Sequence, residues 1–172
     1  MNIIEGQASL QLFALAEVSE RLQKAGIDYW LFGGWAVDFY VGSVTRLHDD
    51  VDLAVWFVDV PQITKLLRTN GWLHVPSNDD DGGTGFERGG VRLELTYLIH
   101  GDDGLASIPL RSGAVVWPGE DALADDVGEL RGVRSRLVGF ESLLHGKATP
   151  RDDMEDAEKD RADFTHLSRL LS

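Results

Sequence analysis

Residues 48–55 read His48-Asp49-Asp50-Val51-Asp52-Leu53-Ala54-Val55, and this stretch decides how the rest of the chain is read. On a strand, side chains alternate between faces. Val51, Leu53 and Val55 then share a buried face, and Asp50 and Asp52 share the opposite one. Two neighbouring carboxylates repel unless a cation joins them. Oxygen ligands at this spacing suit magnesium, which binds one or two carboxylates together with substrate phosphates. An edge strand carrying two solvated aspartates is the alternative.

Working outward, Tyr29-Trp30-Leu31-Phe32 is a short apolar strand that runs into Gly33-Gly34, and residues 35–40 read as a short helix ended by Gly42. Glycine permits close backbone approach to a phosphate, and a helix N-terminus offers free N–H groups. A plain tight turn explains the same pair. Arg46 and His48 flank the aspartates and could donate to phosphate oxygens, or be exposed loop side chains. Further along, Arg92, Glu94 and Thr96 alternate with Leu93, Leu95 and Tyr97. Glu94 is therefore a third strand carboxylate able to face the same cleft, or one half of an ion pair with a residue such as Arg88.

The remaining elements follow from periodicity and turn chemistry. Leu12, Leu15, Val18, Leu22 and Ala25 recur at helical spacing before Gly26. Asp59 is positioned to cap a helix with Pro61 in its first turn, and Gly71 stops it. Residues 72–75, 84–88 and 91–99 read as strands, with Gly89-Gly90 as a hairpin turn. Residues 76–83 form an acidic turn, and 100–104 a loop. Weaker strand patterns cover 115–117 and 133–138, and helices are expected over 140–147 and 153–171. The fold class is α/β (α+β): a mixed β-sheet flanked by helices, with a small C-terminal helical segment. Residues 1–105 are expected to form the core, and 106–172 a strand/helix subdomain completing the nucleotide and acceptor cleft.

The chain has 172 residues, 43% of them hydrophobic, and no cysteine. Disulfides, zinc–thiolate sites and thiol nucleophiles are thereby excluded. With 29 acidic and 16 basic residues, the net charge is −13. Such a surface repels nucleic acid and suits a cationic small molecule or a metal. The acidic run Asp79, Asp80 and Asp81, with Asp102 and Asp103, could attract a polycation or simply be solvated. Trp56, Trp72 and Trp117 could stack on a sugar or base, or lie in the core. The first residues lack a basic start and no run reaches membrane-spanning length, so no membrane association and a cytoplasmic location are expected.

The run Trp30-Leu31-Phe32-Gly33-Gly34-Trp35-Ala36-Val37-Asp38, followed by Thr45-Arg46-Leu47-His48-Asp49-Asp50-Val51-Asp52, resembles the antibiotic nucleotidyltransferases of the DNA polymerase β superfamily. The aminoglycoside-2''-adenylyltransferases and lincosamide nucleotidyltransferases are the groups it is similar to. Lys159-Asp160-Arg161-Ala162-Asp163-Phe164 also looks like a run near the end of those proteins. The resemblance is strong over residues 27–56 and looser elsewhere. It implies that Asp50 and Asp52 are magnesium ligands, with Glu94 as a third ligand or as the base. Relatives usually carry aspartate at that third place. It also implies that Gly33, Gly34 and Trp35 line the triphosphate site, with Arg46 and His48 beside the phosphates, and that Lys147 and Lys159 reach the triphosphate tail.

The reaction so implied moves a nucleoside monophosphate, AMP from ATP or another NTP, onto a hydroxyl of a small molecule such as an aminoglycoside or lincosamide. Two magnesium ions would assist, and pyrophosphate would leave toward Arg46 and the Gly33-Gly34 turn. A toxin–antitoxin-type enzyme that modifies a protein, and a non-catalytic nucleotide-binding regulator, are the competing readings. Gly-Gly-Trp weighs against the first, and retention of both aspartates against the second. The helical tail could pair two subunits.

Overall fold

A computed structural model of the chain describes residues 2–77, 81–119 and 121–172. The first helix, α1 (Ile3–Lys24), is capped by Asn2, whose side chain accepts from the Glu5 N–H, and it buries Leu12, Leu15, Val18 and Leu22. Strand β1 (Tyr29–Phe32) leads directly into α2 (Gly33–Val41). The aspartate strand is β2 (Val51–Trp56), with Val51, Leu53 and Val55 buried as the alternation requires. A 3-10 turn, Phe57–Asp59, precedes α3 (Val60–Thr69). Asp59 makes no side-chain cap there, contrary to expectation, because the 3-10 turn already holds its backbone in a helical conformation.

Strands β3 (Leu73–Val75), β4 (Gly83–Arg88) and β5 (Val91–His100) follow. Gly89 and Gly90 both have positive φ, 56° and 80°, as a tight hairpin with matching twist demands. The main sheet has the order β1-β2-β5-β4-β3. Among the described strands of this sheet, β2 and β5 run parallel and the neighbours beyond them are antiparallel.

Two strands that periodicity does not reveal complete the sheets. β6 (Ala106–Leu110) pairs with the end of β5 and with β7 (Gly113–Val116), extending the main sheet across residue 105. Its Pro109 reads as a strand breaker in sequence, which hides it. β8 (Val127–Leu130), with two of its four residues exposed, forms a separate hairpin with β9 (Val133–Arg136). Trp117 falls just outside β7, and β9 ends before residue 138. The tail consists of α4 (Phe140–Ala148) and α5 (Met154–Arg169), the latter capped by Asp153.

One apolar cluster joins α1, both faces of β1, the inner faces of β2 and β5, and Ile63 and Leu67 of α3. Helices α2, α4 and α5 contact one another. The end of β1, the outer face of β2 and these three helices therefore enclose a common space. Among the described residues, no helix is long and apolar enough to cross a membrane.

Candidate active site

The register around β2 builds the site. Asp52 lies opposite Phe32 on β1 and opposite Glu94 on β5. Gly33 comes next after Phe32, at the first position of α2, with φ of 71°. A Cβ there would run into the Asp52 carboxylate. A Cβ on Gly34 would sit 2.5 Å from both Arg46 Nη2 and His48 Nδ1. Both glycines are thus required by close approach, and the start of α2 has no side-chain cap on its free N–H groups.

Burial pushes the Asp52 carboxyl well above the usual carboxylate range. The charge and hydrogen bond of Asp50 push it the same way, as does Glu94, and Lys147 opposes them. Two hydrogen-bonded acids in a recessed position carry a repulsion that a divalent cation relieves. Two carboxylates also match what magnesium takes from a protein when phosphate oxygens supply the rest. The donor set therefore fits magnesium. Among the described residues, no group of three or more metal-binding side chains gathers closely enough to hold an ion alone.

A network of cations faces the aspartates. Arg46 donates through Nε and Nη2 to Asp163 at 3.1 and 3.0 Å. Lys147 lies 2.9 Å from Asp163 and 3.2 Å from Asp160, and Arg151 reaches Asp160 at 2.9 Å. Lys159 bridges Asp49 at 2.8 Å and Glu155 at 3.1 Å. Burial pushes the Asp163 carboxyl up, but its hydrogen bond from Arg46 and the Lys147 charge outweigh this and hold it below 3.8.

These parts enclose a cleft of about 480 Å³. Its floor is Gly33, Gly34, Asp50 and Asp52, and one wall carries Arg46, Lys147, Arg151 and Lys159. Apolar groups, among them Phe32, Ile108, Trp117, Val138 and Leu143, form the other wall.

Several expected residues are placed differently. Trp35 does not line the cleft: its side chain is 1% exposed, packs on the His48 ring at 4.6 Å and donates Nε1–H to Gln11. Trp35, in the first turn of α2, points inward to His48 and Gln11 and is core. His48 borders the cleft, yet its Nε2 is held 2.6 Å from buried Asp38, which also accepts from Thr45. Glu94 is in register with Asp52 but does not line the cleft, and its carboxylate bonds Arg92 Nε. Its partner is thus Arg92, while Arg88 bonds Glu17. Burial raises the Glu94 carboxyl overall; Arg92 works against that and Asp50 adds to it.

Asp79 and Asp80 lie outside the described residues. Asp81 accepts from the Arg111 N–H, and Asp103 from the Leu105 N–H; neither they nor Asp102 line the cleft. Trp72 is core beneath the Arg88 guanidinium, and Trp56 stacks on His100. Of the three tryptophans, Trp117 borders the cleft, with its Nε1–H given to Ser142. Sequence reading missed Asp38, Asp160 and Asp163 as organisers of the site. Charged residues placed at or near full burial were the available signal, and burial is not visible from a polar helix sequence.

A mixed sheet with one acid on an inner strand and another just before it, facing a glycine-started helix, defines the nucleotidyltransferase fold class. Two solved structures share this fold. One is a lincosamide antibiotic adenylyltransferase, LnuA, with lincomycin bound; its TM-score is 0.71 at 19% identity, covering 93% of this chain and 96% of that one. The other is ANT(2")-Ia in complex with adenylyl-2"-tobramycin; its TM-score is 0.68 at 18% identity, covering 95% and 90%. The chain belongs to the aminoglycoside-2''-adenylyltransferase family, whose family model matches residues 14–109. A 2''-aminoglycoside nucleotidyltransferase of Escherichia coli is 49% identical over 39 residues, which are 23% of this chain and 20% of that protein. One from Klebsiella pneumoniae is 37% identical over 43 residues, 25% and 24% of the two chains. The matched segments thus span about a quarter or less of these curated relatives.

Proposed function

We propose that this chain transfers a nucleoside monophosphate, AMP from ATP, onto a hydroxyl of a small antibiotic-type molecule and releases pyrophosphate. The observation that carries the reading is the Asp50–Asp52 pair set directly against Gly33 at the uncapped start of α2. Asp50 and Asp52 would hold magnesium, which when bound neutralises charge on the transferring phosphoryl group. The rest of the work is positioning. The first N–H groups of α2 donate to phosphate oxygens, and Arg46 and Lys147, fixed by Asp163, offer their remaining donors to the leaving pyrophosphate. Phe32 and Trp117 present apolar surface to a planar base. Glu94, on the strand beside Asp52, would take the proton of the attacking hydroxyl with the carboxylate oxygen that Arg92 does not hold.

Family membership and the antibiotic-bound structures of the same fold support a small-molecule acceptor. Pyrophosphate release from ATP should require magnesium and a hydroxylated antibiotic, and should vanish in Asp52→Ala. Release that persists in that variant would defeat the proposal.

A further inference from the structure

Asp52 has two strand neighbours, and they divide the site. On the β1 side lie Phe32, Gly33 and the start of α2, the seat for the triphosphate. On the other side is β5, with Glu94 in register. An in-line displacement needs the attacking oxygen opposite the leaving group. Given the transfer reading above, on which this inference rests, the acceptor approaches over β5 and β4.

The charges on that face are few. Outward-facing Arg92, Glu94 and Thr96 of β5 stand opposite Glu87, Gly85 and Gly83 of β4. Arg92 lies between the two acids: its Nε donates to Glu94 at 2.5 Å and its Nη1 to Glu87 at 3.0 Å. Ser77 also hydrogen-bonds Glu94. The guanidinium has a prepared seat, because a Cβ on Gly85 would sit 2.9 Å from Arg92 Nη2 and 3.4 Å from Glu94 Oε1. Both carboxylates of these paired strands are thus committed to a cation of the chain itself. A polycationic acceptor would have to displace that cation or sit beside a like charge, and either discriminates against it.

We propose that Arg92 is a specificity-determining residue. Its guanidinium fills the place an acceptor ammonium would need between Glu87 and Glu94, so the chain favours hydroxylated acceptors of low positive charge over polyamines.

Isothermal titration with a non-hydrolysable ATP analogue present tests this, using tobramycin as the polyamine and lincomycin as the singly basic probe. Wild type should bind lincomycin more tightly than tobramycin. Arg92→Gln should tighten tobramycin roughly tenfold, the effect of removing one neighbouring like charge, and change lincomycin far less. Adding Glu87→Gln should take back part of that gain. Arg92→Lys, which keeps the charge and the fold's polar seat, should behave like wild type. Tighter tobramycin than lincomycin binding by wild type, or no tobramycin gain in Arg92→Gln, would overturn the proposal. If Arg92→Gln does not fold, the wild-type order and Arg92→Lys decide it. Pyrophosphate release in the same samples judges the transfer reading separately: its absence with every acceptor would defeat that reading, and the affinity order would still decide the role of Arg92.

Discussion

Asp163 of α5 is completely buried and grips Arg46, a residue 117 positions earlier, with both carboxylate oxygens. The same carboxylate meets Lys147 at 2.9 Å. One side chain of the C-terminal helix therefore orients two of the cations that line the cleft.

Removing it should be costly. Asp163→Ala strands the partly buried Arg46 and leaves Lys147 with Asp160 alone, and a loss of about 3–5 kcal/mol is typical when one partner of a buried pair is removed. Urea denaturation at neutral pH measures it. The Asp163 carboxyl is held below 3.8 in the folded state, so its contribution is present above that range and disappears as pH falls through the lower folded value. Wild type should accordingly lose more stability than Asp163→Asn on acidification below about pH 4, the ordinary carboxylate value. Equal losses would contradict the assignment.

The opposite sign is expected at Asp52, whose carboxyl is pushed up. Folding favours its protonated form, so the ionised group costs stability as pH rises above the unfolded value. Asp52→Asn in chelator-treated protein at neutral pH should gain stability, read as a higher melting temperature, while losing transfer activity. Calorimetry with and without magnesium checks both halves; added magnesium should stabilise wild type alone.

Gly33→Ala should damage both fold and site. Its φ of 71° costs a side chain about 1–2 kcal/mol, and the added methyl meets the Asp52 carboxylate. A drop in melting temperature together with loss of nucleotide binding by titration is the expected result. A variant that binds nucleotide normally would remove Gly33 from the phosphate floor.

Trp35→Phe separates core from site. The loss of the indole hydrogen bond to Gln11 and of packed area should cost about 1–3 kcal/mol in denaturant unfolding. The KM for nucleotide should stay within about twofold, because the side chain does not line the cleft. A large KM change without a stability loss would return Trp35 to the triphosphate site.

Local rules carried much of the architecture. Strict alternation placed Val51, Leu53 and Val55 inside and the aspartates outside, and glycine punctuation located α2, α3 and the β4–β5 hairpin. These signals depend on a side chain's own backbone, which neighbouring residues in sequence determine. Strands β6 and β8 escaped because one contains Pro109 and the other is four residues long with two of them exposed, so neither shows an apolar period.

Partner choice depended on the folded chain. In sequence, Lys147, Lys159 and Arg46 are cations with no named carboxylate partner, and Glu94 is a carboxylate able to join Asp50 and Asp52 or to pair with an arginine. Packing α5 against α2 brings Asp163 to Arg46 and Lys147, and the β4–β5 register with the gap at Gly85 hands Glu94 to Arg92. The acid pair and glycine turn were therefore determined by the sequence alone, through short-range geometry. Which charges neutralise which was decided only by tertiary structure, because ion pairing depends on distance in space and on exclusion of water.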